Sequence, residues 1–223
     1  MSADPTPPTL PPVDAVVFDV GGVLTISPLA AMASVAARAG LDPRLFARIA
    51  IGHGDYGDGE HPWHRLERGE IDVAEFDRST DALARSLDLP GFPPLPGAEF
   101  LAAALALRAD MADLPALVRQ AGCRTAICTN NIRSWAVWRE HVPIDGFEVI
   151  VDSCEVGMRK PEARIFQLVA ERLGVPIERC VLLDDMAENV QGARAAGMQA
   201  IEVDHTDAGR RALAALLAGR LAL

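Results

Sequence analysis

Short apolar runs that stop on a polar residue recur along this chain, and between them apolar positions fall every three or four residues. Ala15 to Phe18, Arg124 to Cys128, Phe147 to Val151, Cys180 to Leu183 and Ala200 to Val203 are runs of branched, aromatic and small residues, the pattern of buried strands. The first stops on Asp19 with Gly21 and Gly22 close behind, glycines that let the backbone approach the substrate Asp19 would hold, the second on Thr129-Asn130-Asn131, and the fourth on Asp184-Asp185. Helical spacing covers Pro28 to Ala39, a segment opened by Asp42-Pro43 that carries Leu45, Phe46 and Ile49, Trp63 to Arg68, and Val73 to Leu87. Asp72-Val73-Ala74-Glu75 fits a capping box before the last of these. Further helices are expected over 98–109, 112–121, 132–141, 161–173, 186–196 and 206–221, with Gly122, Gly174 and Gly197 as stops. Strands alternating with helices of this length predict an α/β fold, a doubly wound parallel sheet covered on both faces.

Residues 27–96 break that alternation. They hold no strand pattern, only helices, a loop with four glycines between Gly52 and His61, and a proline-stiffened connector from Leu89 to Gly97. The predicted organisation is a main body from residues 13–26 and 97–223, an inserted helical unit over 27–96, and a disordered tail over 1–12 that contains five prolines.

At 223 residues the chain can bury a substantial core. Its 21 basic and 31 acidic residues give a formal charge of −10, which disfavours nucleic acid and anionic membrane as partners. Cys123, Cys128, Cys154 and Cys180 have no metal-binding spacing and read as reduced core thiols. No apolar run approaches the ~18–20 residues of a membrane span, and the first residues lack the form of a signal peptide. A cytoplasmic monomer or homodimer is expected.

A parallel sheet gathers its strand ends at one edge, so Asp19, Thr129, Asn130, Asp184 and Asp185 should converge there. Lys160 belongs to Lys160-Pro161-Glu162, where proline suits the first turn of a helix. Converging carboxylates repel unless a cation lies between them, and hard oxygen ligands point to Mg²⁺. With that charge neutralised, Asp19 can attack a phosphoryl group and form an aspartyl-phosphate. Thr129 and nearby backbone N–H groups can hold the equatorial oxygens. Taken alone, each feature has an ordinary explanation: Asp185 with Glu188 fits a capping box, Lys160 a surface lysine, Thr129-Asn130-Asn131 a turn. Their occurrence together in this order favours the chemistry.

That order resembles the haloacid dehalogenase superfamily over nearly the whole chain. The stretches FDVGGVLT, CTNN, GMRKPEARIF and VLLDDMAENVQGA are similar to its four motifs. GMRKPEARIF and LLDDMAENV most resemble the branch of bacterial glucose-1-phosphate phosphatases and the N-terminal phosphatase domain of soluble epoxide hydrolases. The resemblance implies a Rossmann-like core with a helical cap. It makes Asp19 nucleophile and metal ligand, Asp185 and Asp184 further ligands, Thr129 and Asn130 phosphate holders, and Lys160 the charge stabiliser. Phosphatases of this family usually carry a second Asp, a general acid and base, two residues after the nucleophile. Here Gly21 stands there; its carbonyl can still ligate magnesium, and losing a positioned acid–base group costs about 10²–10⁴-fold. A sugar 1-phosphate, with its good leaving group, would suffer least.

Between the first two motifs, His53, Tyr56, His61, Trp63, His64, Glu67 and Arg68 cluster. His64 and Arg68, four apart, share a helix face and are candidates to line the substrate pocket, a histidine serving as surrogate acid. The implied activity is Mg²⁺-dependent hydrolysis of a small phosphorylated metabolite. The alternatives are a 2-haloacid dehalogenase, which Gly21 permits and Asp184-Asp185 oppose, and a phosphate-binding protein without turnover, which Gly21 favours.

Overall fold

The computed structural model describes residues 11–38, 40–52, 60–89, 105–217 and 220. In chain order it places β1 (Ala15–Phe18), α1 (Pro28–Arg38), α2 (Pro43–Ile51), α3 (Pro62–Glu67), α4 (Val73–Ser86) and α5 (Leu114–Gln120). Then come β2 (Arg124–Thr129), α6 (Trp138–His141), β3 (Val149–Asp152), α7 (Ser153–Val156) and α8 (Ala163–Leu173). The chain continues through β4 (Cys180–Asp184), α9 (Ala187–Ala195), β5 (Gln199–Glu202) and α10 (Ala208–Leu216). The expected tail over 1–10, the loop positions 53–59 with His53 and Tyr56, the connector 90–97 and the start of the helix expected at 98–109 lie outside the described residues.

Among the described residues, five strands run parallel in the order β3-β2-β1-β4-β5. β1 is central, pairing Ala15 with Arg124 on one side and Cys180 on the other, and is buried throughout. That explains its unbroken apolar run: a strand covered on both faces has no polar side to alternate with. Val16 and Phe18 face a core built with Leu114, Val118, Trp138 and Leu213, from α5, α6 and α10. Ala15 and Val17 face Ile165, Phe166, Val169, Val190 and Ala193, from α8 and α9. The doubly wound, Rossmann-like arrangement read from the sequence is therefore present. The strand order reverses direction between β1 and β4, which opens a crevice at their carboxyl ends.

Among the described residues between β1 and α5 there is no named strand. The inserted helices build two small cores, one from Met32, Ala36, Phe46 and Ala50, the other from Trp63, Leu66, Ile71 and Phe76 with Ile132 of the main body. The chain leaves and returns side by side: the Ile26 N–H donates to Ala106 O at 2.8 Å and the Arg108 N–H to Leu24 O at 2.9 Å. Among the described residues no helix is long and apolar enough to cross a membrane.

Half of the expected capping box forms at α4. Asp72 accepts the Glu75 N–H at 2.7 Å, whereas the Glu75 carboxylate lies 3.4 Å from Arg65. Asp72→Ala should lower stability by about 1 kcal/mol, read as a lower urea midpoint; an unchanged midpoint would assign α4 no dependence on its cap.

Three helix expectations are corrected. The described end of the one over 98–109, residues 105–109, is not helical; residues 106–108 lie beside residues 24–26, with Leu107 bridged to Thr25. Residues 132–141 form a 3₁₀ turn, Arg133–Trp135, and then the four-residue α6. Ile132 and Trp135 pack toward the inserted helices, whereas Trp138 packs into the sheet core, and one straight helix does not serve both. Nor does Lys160-Pro161 open α8, which starts at Ala163 after Glu162.

Candidate active site

Asp19 directly follows β1, Thr129 ends β2, and Asp184 ends β4 with Asp185 next. Lys160 is fully buried between the strand ends, its Nζ 2.9 Å from Asp19 Oδ1 and 2.5 Å from Asp184 Oδ2. A buried ammonium is costly unless paired, and here two carboxylates pair it. The Asn130 amide aligns it: Asn130 Nδ2 donates to Lys160 O at 2.9 Å, and the Lys160 N–H donates to Asn130 Oδ1 at 2.8 Å. Behind this turn the Asn131 side chain donates to buried Asp152 at 3.0 Å and its N–H to Ser153 Oγ at 2.9 Å.

Asp19 Oδ1 also accepts the Val20 N–H at 2.7 Å, so neither bond uses Oδ2. Asp184 Oδ1 accepts from the Met186 N–H and Asn189 Nδ2, both at 2.9 Å. Both Asp184 oxygens thus hold neighbouring groups in place. Asp185 does not cap α9, whose N-cap position is Met186; Ser27 Oγ donates to Asp185 Oδ2 at 2.9 Å instead. Gly22 is required beside it, because its φ is +76° and a Cβ would lie 2.0 Å from Asp185 Oδ2.

One oxygen from each of Asp19, Asp184 and Asp185 can lie within 4.8 Å of the others. Burial pushes the Asp19 carboxyl up to about 7, against Lys160, with Asp184 and Asp185 adding to the rise. Burial and Asp184 likewise raise Asp185. Burial works to lower Lys160, but Asp184 and Asp19 outweigh it and raise its pKa. Beside them Asn189 Oδ1 is buried without a hydrogen-bond partner among the described residues. Clustered oxygens, protons held against the usual carboxylate range and an orphaned amide oxygen fit a hard divalent cation.

The pocket in front of these groups holds about 130 Å³ and is lined by Asp19, Gly21, Thr129, Asn130 and Asp185 from the main body. Ile51, Trp63 and Trp135 form an apolar wall, with Glu67 and Arg159 beside them. Gly22, His64 and Arg68 do not line it. Arg68 is engaged by Glu60, Glu70 and Glu162. The His64 ring lies 5.7 Å from that of His61; burial, then Arg159, His61 and Arg68, push its pKa down to about 3. His64 is therefore neutral near pH 7 and has no proton of the required acidity to give.

Ser27, Glu67, Arg159 and Asn189 line the pocket as well; Glu67 belongs to the polar cluster between the first two motifs, and local pattern assigns the other three no role. Arg159 lies within GMRKPEARIF and Asn189 within VLLDDMAENVQGA, which is their one signal; Ser27 carries none beyond following FDVGGVLT.

Residues 13–197 match the family model of haloacid dehalogenase-like hydrolases. Acyl-CoA dehydrogenase family member 10 of Mus musculus is 31% identical over 210 residues, 91% of this chain and 19% of that protein. Bifunctional epoxide hydrolase 2 of Rattus norvegicus is 28% identical over 209 residues, 88% of this chain and 37% of that protein. The chain thus spans well under half the length of these curated relatives. A haloacid dehalogenase family enzyme of Bacteroides thetaiotaomicron, solved with magnesium and inorganic phosphate, superposes with a TM-score of 0.58 at 18% identity, covering 89% of this chain and 98% of that one. At that identity the match establishes the fold.

Proposed function

The chain belongs to the haloacid dehalogenase-like hydrolases, and on that premise we propose that it is a Mg²⁺-dependent phosphatase of a small phosphorylated metabolite. The observation that carries this is the buried Asp19–Lys160–Asp184 set with Asp185 beside it, opening on a pocket of about 130 Å³. A bound phosphate in the Bacteroides relative supports the same reading.

Asp19 attacks phosphorus through Oδ2, the oxygen its bonds to Val20 and Lys160 leave over. The P–O bond to the leaving group breaks, that oxygen takes a proton from water, and the phosphoryl group passes to Asp19. A water molecule then attacks phosphorus, freeing inorganic phosphate and restoring the Asp19 carboxylate. Lys160 offsets the gathering negative charge, and Thr129 borders the transferred group. Asp19, Asp185 and the Gly21 carbonyl would hold the cation; Asp184 keeps Lys160 in place. Bound there, Mg²⁺ would neutralise phosphoryl charge as a Lewis acid. Trp63, Trp135 and Ile51 face the leaving group and shield it from bulk water. Their flat apolar faces suit the ring of a sugar phosphate.

The test is phosphate release with Mg²⁺ across phosphorylated metabolites, sugar 1-phosphates included, with and without chelator. Release that the chelator abolishes supports the proposal. Silence across the panel with metal bound sinks it, and tight binding of phosphate analogues without turnover would then favour the binding-only alternative that Gly21 suggests.

Gly21 is not among the glycines with positive φ, so its backbone accepts an L side chain. Gly21→Asp should raise turnover of alkyl phosphates by about 10²-fold or more, and of aryl phosphates much less. Equal gains on both classes would show that acid–base help is not what the native chain lacks.

Metal binding should also be pH-dependent. Without metal, the raised Asp19 pKa means the unfolded chain loses this proton first, so its share of stability falls as pH rises from about 4 through about 7. Mg²⁺ binds the carboxylate, so it must displace a proton at acidic pH and none above 7. The thermal midpoint should gain more from Mg²⁺ at about pH 8 than at about pH 6. An equal gain at both would contradict a protonated Asp19.

A further inference from the structure

We propose that Glu67 and Arg68 of the helical cap are positioning residues for Lys160, gripping its loop from both sides. They are consecutive, at the end of α3 and just beyond it. Glu67 Oε2 accepts from Arg159 Nε at 2.6 Å, and Arg68 donates to Glu162 Oε1 at 3.2 Å. Arg159 immediately precedes Lys160, and Glu162 is the N-cap residue of α8 two positions beyond it.

The first of these ion pairs is dry: Glu67 is 5% exposed and Arg159 9%. Such a pair is directional and scarcely screened by salt, unlike a surface pair. The next residue shows how closely the two parts meet. Gly69 has φ +68°, and a Cβ on it would lie 2.7 Å from the Cys154 carbonyl oxygen and 3.0 Å from the Arg133 guanidinium. Glu67, Arg68 and Gly69 therefore seat one corner of the cap on residues 154–162. Lys160 lies inside that footprint, with its side chain extended to Asp19 and Asp184. Seating the cap and placing the ammonium become one event, so the charge-stabilising group is complete when the apolar wall is in position over the substrate.

The kinetic arm of the test rests on the phosphatase reading; the exchange arm does not. Amide hydrogen exchange would be followed in the full chain for the wild type, Glu67→Gln and Glu162→Gln. The Lys160 amide donates to Asn130 Oδ1, so its protection reports the loop directly. In Glu67→Gln, peptides over 157–163 should exchange at least about tenfold faster, together with those over 62–70, while β4 is unchanged. Its kcat should fall about ten- to a hundredfold with KM nearly constant, because misplacing a transition-state group costs rate rather than binding. Glu162→Gln, at the more exposed pair, should do the same more weakly, and it decides the matter if Glu67→Gln does not fold. Undisturbed exchange over 157–163 in the folded variants overturns the proposal, as does a rise in KM at constant kcat, the signature of a simple lid. A wild type without turnover would sink the phosphatase reading and leave the exchange result to judge the positioning role.

Discussion

Asp19→Asn should abolish the proposed phosphate release, by about 10⁴-fold or more, and leave the protein folded. The amide has the shape of the carboxylate, so it can keep the Val20 N–H bond that holds Asp19 Oδ1 at 2.7 Å. It is not a nucleophile, and the two neighbouring aspartates are otherwise engaged: both Asp184 oxygens hold Lys160, Met186 and Asn189, and Asp185 Oδ2 accepts from Ser27. Stability should change little, because Lys160 retains Asp184 at 2.5 Å and the change removes an acid that burial already penalises. Phosphate release measured with Mg²⁺, beside a thermal melt, reads both. Turnover within about tenfold of the native rate in a folded variant would remove Asp19 from the chemistry.

Lys160→Met should cost about 3–5 kcal/mol of stability near neutral pH. The methionine matches most of the lost volume but leaves Asp19 and Asp184 facing each other, buried, without their cation. Lys160 is the largest influence holding the Asp19 pKa down against burial, so its removal raises that pKa further. A carboxyl raised in the folded state binds its proton before the unfolded chain does as pH falls. Stability is therefore lost as pH rises above about 4 and recovered as pH falls. Urea midpoints should show a deficit that is large near pH 8 and much smaller near pH 5. The same deficit at both would assign the loss to packing instead of charge.

The strand ends were legible because a parallel strand buried on both faces has one polar feature, the residue where it emerges. Asp19, Thr129 and Asp184 each mark such a point, and the structure brings them to one edge. Lys160 was legible by resemblance alone, since nothing local separates it from a surface lysine until both carboxylates are placed around it. The partners that reach between the two parts of the chain left no local pattern. Ser27 and Asp185 are 158 positions apart, and Glu67 and Arg159 are 92 apart. His64 and Arg68 were drawn toward the pocket by their shared helix face, but from that helix Trp63 and Glu67 line it. The broken helix at 132–141 was hidden for a related reason: local spacing says which residues are apolar, not that Ile132 and Trp138 serve different cores.

The central place of β1 also governs how the chain can be made. Its neighbours in the sheet, Arg124 to Ile127 and Cys180 to Leu183, are synthesised long after it. An emerging chain therefore carries a fully apolar strand with neither edge covered until most of its length has left the ribosome. Pairings this distant close slowly, and until they close they expose surface that aggregates. The inserted helices, with small cores of their own, can take shape in the interval. Asp19 meets Lys160 and Asp184 together when the last central strand docks, so a chain halted before Asp184 carries the inserted helices and an incomplete carboxylate cluster.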